Sequence, residues 1–562
     1  MRLYLQLSAL AKRAWLLLFI AIAGFYLWGL GSFPLVGPDE PRYAEVAREM
    51  LGRRDFITPT LGGLPWFEKP PLLYWMMMLS YRVLGVSEYA ARLGPAICGL
   101  LTGVFVYWIG CKIDKANRNG SRDGEAHVKS TAMGRWSALI WLSSSGAIAL
   151  SRGASFDIVL TMTVSGALAF FLAYEVRTPI GGDGVRPEST LLAGFYLFAG
   201  LSLLAKGLIG FVIIFGVVAI YFVVRRESWP SRFAKSLVWG VPLSLVIAGI
   251  WYGPMIAKHG WTFIDQFIIQ HHFARFVTNK YHHPGPIYFY LPVLVGLTLP
   301  WTIVLAASFI SARRWSWRGQ LPLDRARVFA LVWLLVPLVF FSFSGSKLAA
   351  YILPALPAAA LLIGERIACF CREQRGEKVL RLTGALLILI AAAGVWYTHR
   401  NSPLSFYCAG LAVLPLLLIG ATAIVRPQLR NQLFLMMAIA ALATAAIGLK
   451  CAAPVVAGTQ SVRDLLATAT ARGYGNAPVV QLHTIQRSAE FYAANRLTYG
   501  SDGEPVKFEG GGQVVEAARK NGGSVLCLVP LEFEAQLTTL KQANSEIIAD
   551  NGPIALILVS VK

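Results

Sequence analysis

Gly37-Pro38-Asp39-Glu40-Pro41-Arg42-Tyr43-Ala44-Glu45 and, further on, Pro65-Trp66-Phe67-Glu68-Lys69-Pro70-Pro71-Leu72-Leu73-Tyr74-Trp75 belong to one loop between the first two hydrophobic spans. Two acidic residues stand just past the end of a membrane helix. An acid–base pair follows, set among prolines and aromatic rings. A plain connecting loop has no use for that density of charge beside so many rings. Charged side chains at a membrane boundary face a cavity, a headgroup or a partner. The loop therefore reads as half of an active site, whose other half has to come from segments on the same side of the membrane.

Working outward, the 562-residue chain is 56% hydrophobic and only 14% charged, with a mean hydropathy of +0.56. Soluble domains carry about 25% charged residues. Apolar runs of about 16–24 residues recur, which predicts one polytopic membrane domain instead of several soluble ones. The net charge of +21 does not indicate nucleic acid, because Lys and Arg gather in short loops at alternate ends of the spans. That distribution sets topology and attracts the headgroups of membrane lipids. The seven cysteines are scattered and imply no disulfide framework or metal knuckle. The basic start and long apolar stretch read as a retained first helix.

With Arg2, Lys12 and Arg13 inside, the signature loop falls outside and every strongly basic loop falls inside. The assignment gives about thirteen transmembrane helices, from a first near 14–31 to a last near 432–452, with the N-terminus cytoplasmic. The expected fold is a polytopic α-helical membrane protein with a transmembrane domain over 1–453 and a first outside loop, 32–92, that carries interfacial helices. A soluble α/β domain over 454–562 lies outside. In it, Val479–Leu482, Val525–Val529 and Ile554–Val559 read as buried strands, and helices near 459–472, 485–495 and 512–520 alternate with them. A mostly parallel sheet is expected. Gly510-Gly511-Gly512 is a turn without a phosphate-binding motif.

The polar residues that interrupt apolar surroundings all land on the outer face: Asp39, Glu40, Arg42, Glu68, Lys69, Arg152, Asp157, Lys206, His271, His272, Arg275, His282, His283 and Lys347. A transporter places its charges near the midplane, on broken helices of repeated halves. Here they sit at the rim, as suits an enzyme acting on a substrate with a charged head and a greasy tail. Each residue also has a structural alternative. Asp39 can cap the helix that begins near Pro41. Lys69 can snorkel to a lipid phosphate, and Lys206 and Lys347 can serve as helix-end cations. Arg48, Arg53, Arg54 and Asp55 read as the solvated face of an amphipathic helix in the interface.

Chemically, the set fits transfer of a group from a phosphate-bearing lipid. Lys and Arg clamp phosphate oxygens and offset charge on a phosphate leaving group. Glu68 with His272 can hold a divalent ion (Zn, Mg or Mn) that polarises the same oxygens. Asp39 and Asp157, with Glu40 beside them, can orient an acceptor or stabilise a cationic sugar transition state.

At these residues the chain resembles the GT-C class of polyprenyl-phosphate-dependent glycosyltransferases and, more narrowly, the lipid A 4-amino-4-deoxy-L-arabinose transferases (ArnT-like). The pieces that carry the resemblance begin with Asp39 through Glu45, Phe67-Glu68-Lys69-Pro70 and Ala205-Lys206-Gly207. His272-Phe273-Ala274-Arg275-Phe276, His283-Pro284-Gly285-Pro286, Leu299-Pro300-Trp301 and Ser346 through Pro354 follow. They cover most of the first 360 residues. The resemblance implies Asp39 and Asp157 near the acceptor, Glu68 and His272 near a metal, and Lys69, Lys206, Arg275 and Lys347 on the donor phosphate. Arg42, Tyr43 and Tyr351 would lie beside the lipid head. The implied reaction moves an aminosugar from undecaprenyl phosphate to a lipid A phosphate at the periplasmic side of the bacterial inner membrane, which gives resistance to polymyxin-type peptides. A monomer is expected. Protein O-mannosyltransferases share the acidic loop and the class of donor, and a flippase of lipid-linked sugar is the non-enzymatic alternative.

Overall fold

The computed structural model describes residues 2–120, 132–177, 188–274, 285–401, 404–500 and 503–562. Helices stand at all thirteen expected positions. Among the described residues, ten are long and apolar enough to cross a membrane. The eighth position holds a broken pair, Tyr290–Leu297 and Thr302–Ala312, bent by 117°. Pro300 lies in the break, where it supplies no amide hydrogen and disfavours helix at Leu299. The freed carbonyls find other donors: Leu299 accepts from the Ser145 amide at 2.9 Å, and Gly296 from Ser145 Oγ at 2.5 Å. Such substitution is what allows irregular backbone at membrane depth. Two expected spans are shorter than a crossing helix. Only Arg13–Leu27 of the first is apolar, and the third is split at Ser144 into Ala132–Ser143 and Ser145–Ser151.

The chain forms two compact units. One comprises Met1–Trp28, Glu68–Leu73 and Pro95–Ile447; the other comprises Gly29–Phe67, Tyr74–Gly94 and Gly448–Lys562. Compactness thus groups most of the first loop, but not Glu68–Leu73, with the C-terminal region, whereas hydropathy alone divides the chain at about residue 453.

The first unit is a helix bundle. Phe156–Glu175 and Ala349–Glu373 are the most buried of the described spans, each with 89% of its apolar window buried, and Phe171 packs against Phe195, Phe222, Phe233 and Phe329. Small residues permit the closest helix approaches, as lipid-embedded packing demands. A Cβ on Gly384 would lie 2.4 Å from the Gly420 carbonyl of the helix Phe406–Val425. Cys408 and Cys451 are disulfide-bonded, contrary to the reading of the cysteine spacing. They stand at helix ends far apart in sequence, where no short spacing motif can reveal them.

In the second unit the loop helix, Asp39–Arg53, is followed by a hairpin of β1 (Thr60–Leu61) and β2 (Leu64–Pro65). Gly62 and Gly63 turn it with φ of 61° and 79°, the left-handed pair of a tight hairpin. A Cβ on Gly62 would also fall 2.4 Å from the Tyr499 ring. The C-terminal sheet has the order β4-β3-β5-β7-β6, with β3 Val479–Leu482, β4 Lys507–Phe508, β5 Ser524–Pro530, β6 Ala543–Asp550 and β7 Ile554–Val561. β3 pairs in parallel with β4 and β5, while β7 pairs antiparallel with β5 and β6. The sheet is therefore mixed and not mostly parallel. β6 is a half-exposed edge strand with a bulge between Ile547 and Ala549. Its polar residues hide the hairpin signal that a buried strand would show.

Candidate active site

The first unit brings together Asp157, Lys206 and Tyr351. Ser155 caps the helix Phe156–Glu175, its Oγ accepting the Asp157 amide at 3.1 Å, and this sets the carboxylate in the first turn. The helix Glu188–Lys206 stops at Gly207, whose φ of 72° and ψ of −151° end the helical path. Lys206 therefore occupies a last turn, where a cation is favoured. Its Nζ donates to Asp157 Oδ1 in a short ion pair and lies 4.7 Å from the Tyr351 ring centroid, within cation–π range. Tyr351 leans on Phe341, centroids 5.2 Å apart, and Phe341 on buried Tyr290 at 6.4 Å. The result is a half-buried ammonium held between a carboxylate and a ring, suited to receive a second anion.

Two further lysines flank apolar surface in the same unit. Lys69 is nearly buried, with Nζ 3.9 Å from Glu68 Oε2. Lys347 Nζ donates to the Ser344 carbonyl at 2.6 Å, just beyond the helix Pro322–Ser342. A Cβ on Gly285 would stand 3.0 Å from Lys347 Cδ, so the glycine of His283-Pro284-Gly285-Pro286 makes room for that side chain. Arg152 takes a structural role: it donates to the carbonyls of Phe25 and Tyr26 at 2.7 and 3.3 Å, and to that of Trp28. It closes the end of the first helix, whose last carbonyls otherwise lack donors.

In the second unit, Asp39 opens the loop helix and is exposed. The cap position is Pro38, without a side-chain cap, so the capping alternative for Asp39 is not realised. Glu40 is fully engaged. It accepts the Val36 amide at 3.0 Å and both Nε and Nη2 of Arg92, at 3.0 and 2.8 Å. Arg92, wholly buried, also donates to the carbonyls of Leu30, Phe33 and Pro34. Breaking so buried a pair costs about 3–5 kcal/mol, so Glu40 and Arg92 clamp the entry to the loop. Tyr43 packs edge-on to Tyr74, centroids 6.4 Å apart. Arg42 lies over Trp66, 5.0 Å from its centroid, and faces Glu490 at 3.6 Å.

Of the charges expected on the solvated face of this helix, Arg53 and Arg54 are exposed, while Arg48 and Asp55 are partly buried and act as fasteners. Arg48 pairs with Glu45 and donates to the Phe491 carbonyl at 2.9 Å. Arg53 holds the Thr58 carbonyl at 2.8 Å, and Asp55 receives the amides of Ile57 and Thr58. Arg54 ends the helix in the left-handed region, at φ 55°. A helix that reads as amphipathic from its own residues is partly covered by chain from the C-terminal region.

Burial pushes the Glu45 carboxyl from an ordinary 4.5 up to about 8, against the opposing pull of Arg48, and it raises Glu490 as well, against Arg42 and Arg487. Between those two values the folded chain binds a proton that the unfolded chain has released. Stability therefore falls as pH rises through that window. The unfolding temperature, followed by tryptophan fluorescence, is expected to drop between about pH 5 and pH 8.5, and Glu45→Gln should flatten the decline.

His272 lies in the π-helical segment Ile264–Ala274, where the side chains of residues 271–274 are not described. Arg275, His282 and His283 lie outside the described residues. Among the described residues, no group of three or more His, Cys, Asp or Glu is arranged to hold a metal ion. Glu490 and Arg92 escape a sequence reading. Arg92 carries a faint signal, as a charge just ahead of a long apolar run; Glu490 carries none.

The sequence profile of the dolichyl-phosphate-mannose-protein mannosyltransferase family matches residues 12–313. An undecaprenyl phosphate-α-4-amino-4-deoxy-L-arabinose arabinosyl transferase of Pseudomonas aeruginosa is 32% identical over 423 residues, covering 73% of this chain and 70% of that protein. A similarly named protein of Yersinia enterocolitica is 30% identical over 380 residues, covering 67% and 62%. The matched region thus spans somewhat under two thirds of several such relatives. The fold is like that of ArnT from Cupriavidus metallidurans bound to undecaprenyl phosphate, with a TM-score of 0.75 at 22% identity over 97% of this chain and 98% of that one. It is less like the archaeal oligosaccharyltransferase AglB of Archaeoglobus fulgidus, with a TM-score of 0.53 at 13% identity over 93% and 70%.

Proposed function

This chain belongs to the dolichyl-phosphate-mannose-protein mannosyltransferase family, with the undecaprenyl phosphate-aminoarabinose arabinosyl transferases among its relatives, and on that premise we propose that it transfers 4-amino-4-deoxy-L-arabinose from undecaprenyl phosphate to a lipid A phosphate. The observation that carries this reading is the Asp157–Lys206 pair against the Tyr351 ring. It supplies a cation for a donor phosphate and a carboxylate for the charge that develops on the sugar.

In this reading an acceptor phosphate oxygen attacks C1 of the sugar. The bond from C1 to the donor phosphate breaks, and undecaprenyl phosphate leaves with the electron pair. Lys206, with Lys69, Lys347, Arg275 and Arg42, offsets the charge growing on that leaving group. Asp157 and Asp39 stabilise the cationic character at the sugar and orient the acceptor. The acceptor is already an anion, so no strong base is required. Tyr43 and Tyr351 line the head of the lipid.

A divalent ion (Zn, Mg or Mn) at Glu68 and His272 is part of the proposal; a carboxylate and an imidazole are ordinary ligands for such ions, and the ion would supply Lewis-acid polarisation of the phosphate. Metal analysis of the purified protein and of Glu68→Gln is expected to show about one equivalent, lost in the variant. The proposed location is the inner membrane of a Gram-negative bacterium, with the N-terminus cytoplasmic and the site and C-terminal domain periplasmic, in a protein that acts as a monomer. The basic loops support that orientation, as does the disulfide-bonded state of Cys451. This residue ends the last membrane helix, and its oxidation suits the periplasm.

The test is mass spectrometry of lipid A from a polymyxin-sensitive strain lacking its own transferase, with this protein expressed. One or two aminopentose additions are expected. No addition, with protein present in the membrane, would redirect the reading to a different acceptor, such as a protein.

A further inference from the structure

One turn of helix in the C-terminal region, Ser488–Tyr492, makes a cluster of contacts to the first loop. Three consecutive residues of that turn hold three parts of the loop. Glu490, fully buried, faces Arg42, with Oε2 3.6 Å from Nε. Phe491 offers its carbonyl to Arg48 Nη2 at 2.9 Å and its ring to the same guanidinium at 4.9 Å. Tyr492 accepts the Leu35 amide at 2.8 Å through its hydroxyl and donates to Glu88 Oε1 at 3.0 Å. Loop entry, loop helix and the start of the following helix are thus fixed to one short segment.

Within this set the charge at position 490 calls for a reason. A buried carboxylate is costly, and an apolar side chain of like volume commonly packs at no loss of stability. Docking alone does not require it. Its second oxygen takes Arg487 Nη1 at 2.7 Å, and Arg487 also pairs with Glu504 at 2.5 Å, so the carboxylate is held in place from its own side. The oxygen left over points at Arg42. Arg42 Nε and Glu490 Oε2 are both buried and make no hydrogen bond among the described residues. The contact therefore acts on Arg42 through charge and position, while the Trp66 ring holds the guanidinium from another side.

We propose that Glu490 is a positioning residue for the site carried by the first loop: it sets the guanidinium of Arg42, and with it the first turn of the helix that bears Asp39. The C-terminal domain is then a working part of the transferase. This inference rests on the reading of the loop as donor-binding. Among the described residues, the charged or titratable groups around the contact include Glu45, Arg48, Glu49, Arg487, Glu504 and Tyr499.

The test uses the full-length protein in lipid nanodiscs, with undecaprenyl-phosphate aminosugar as donor and lipid A as acceptor. Glu490→Gln is expected to raise the donor KM about tenfold with a smaller effect on kcat, and Glu490→Asp to recover part of the loss. Arg42→Ala with Glu490→Gln should be no worse than Arg42→Ala alone, because both act through one contact. A second readout needs no activity. Hydrogen exchange in the peptide Asp39–Arg53 of Glu490→Ala should quicken about tenfold, while that of β5 and β7 stays as in the wild type. Unchanged exchange with unchanged kinetics overturns the proposal. So does exchange that quickens equally everywhere, or kinetic effects of the two residues that simply add. If the wild type transfers no sugar, the functional reading fails by itself, and the exchange experiment alone decides whether Glu490 positions the loop helix.

Discussion

Lys206→Ala is expected to lower kcat for sugar transfer by about a hundredfold, the loss typical when one preorganised donor to developing negative charge is removed. The unfolding temperature should also fall, because Asp157 then keeps a largely buried carboxylate without its partner, so the loss of rate is read on protein kept well below that temperature. Lys206→Arg should recover only part of the rate. The guanidinium is larger and planar, and the space between Asp157 and the Tyr351 ring is shaped around a point charge. Asp157→Asn should also lose most activity, and the double variant should fall no further than the worse single one, since the two side chains act as a pair. Steady-state kinetics on the four proteins checks this. If Lys206→Ala kept its full rate, the pair would be a structural tie between two helices, with the donor phosphate bound elsewhere.

Asp39→Ala carries the second large effect, a loss of about a hundredfold or more in transfer, with Asp39→Asn nearly as poor. The residue is exposed at the opening of the loop helix, and that helix is held by partners other than Asp39, so its removal leaves the fold intact. The similar losses follow from the role given to it. If the carboxylate works by charge on a cationic sugar, an amide of the same shape cannot replace it. Wild-type kcat should accordingly show no loss of rate from protonation of a general base near neutral pH. A pH–rate profile with a single acid limb near neutrality, abolished in Asp39→Asn, would instead make Asp39 a base. Glu40→Gln should behave differently again and show lowered thermal stability, because Glu40 is tied to Arg92.

These contrasts arise from a division that no local reading makes. Asp39, Glu40, Arg42, Arg48 and Asp55 are all charges in or beside one helix, and the sequence divides them only into site residues, the first three, and a solvated face, the last two. In the fold one is exposed, one is bound to a buried arginine, two meet the C-terminal region and one closes a turn. Likewise Arg152 and Lys206 both interrupt apolar stretches of the sequence. Arg152 is consumed by the carbonyls of the first helix, whereas Lys206 faces a carboxylate and an aromatic ring.

From the amino-acid sequence by itself came the polytopic helical architecture, the grouping of basic loops and the presence of an α/β region at the end. Hydropathy, charge placement and turn residues act over a few residues, so their signals survive without a fold. Tertiary structure alone decided the mixed sheet, the clamp of Arg92 on Glu40 and the union of the first loop with the C-terminal region. Arg48 and its acceptor Phe491 stand 443 residues apart. A charge is costly or useful according to what desolvates and pairs with it, and here those partners come from the other end of the chain.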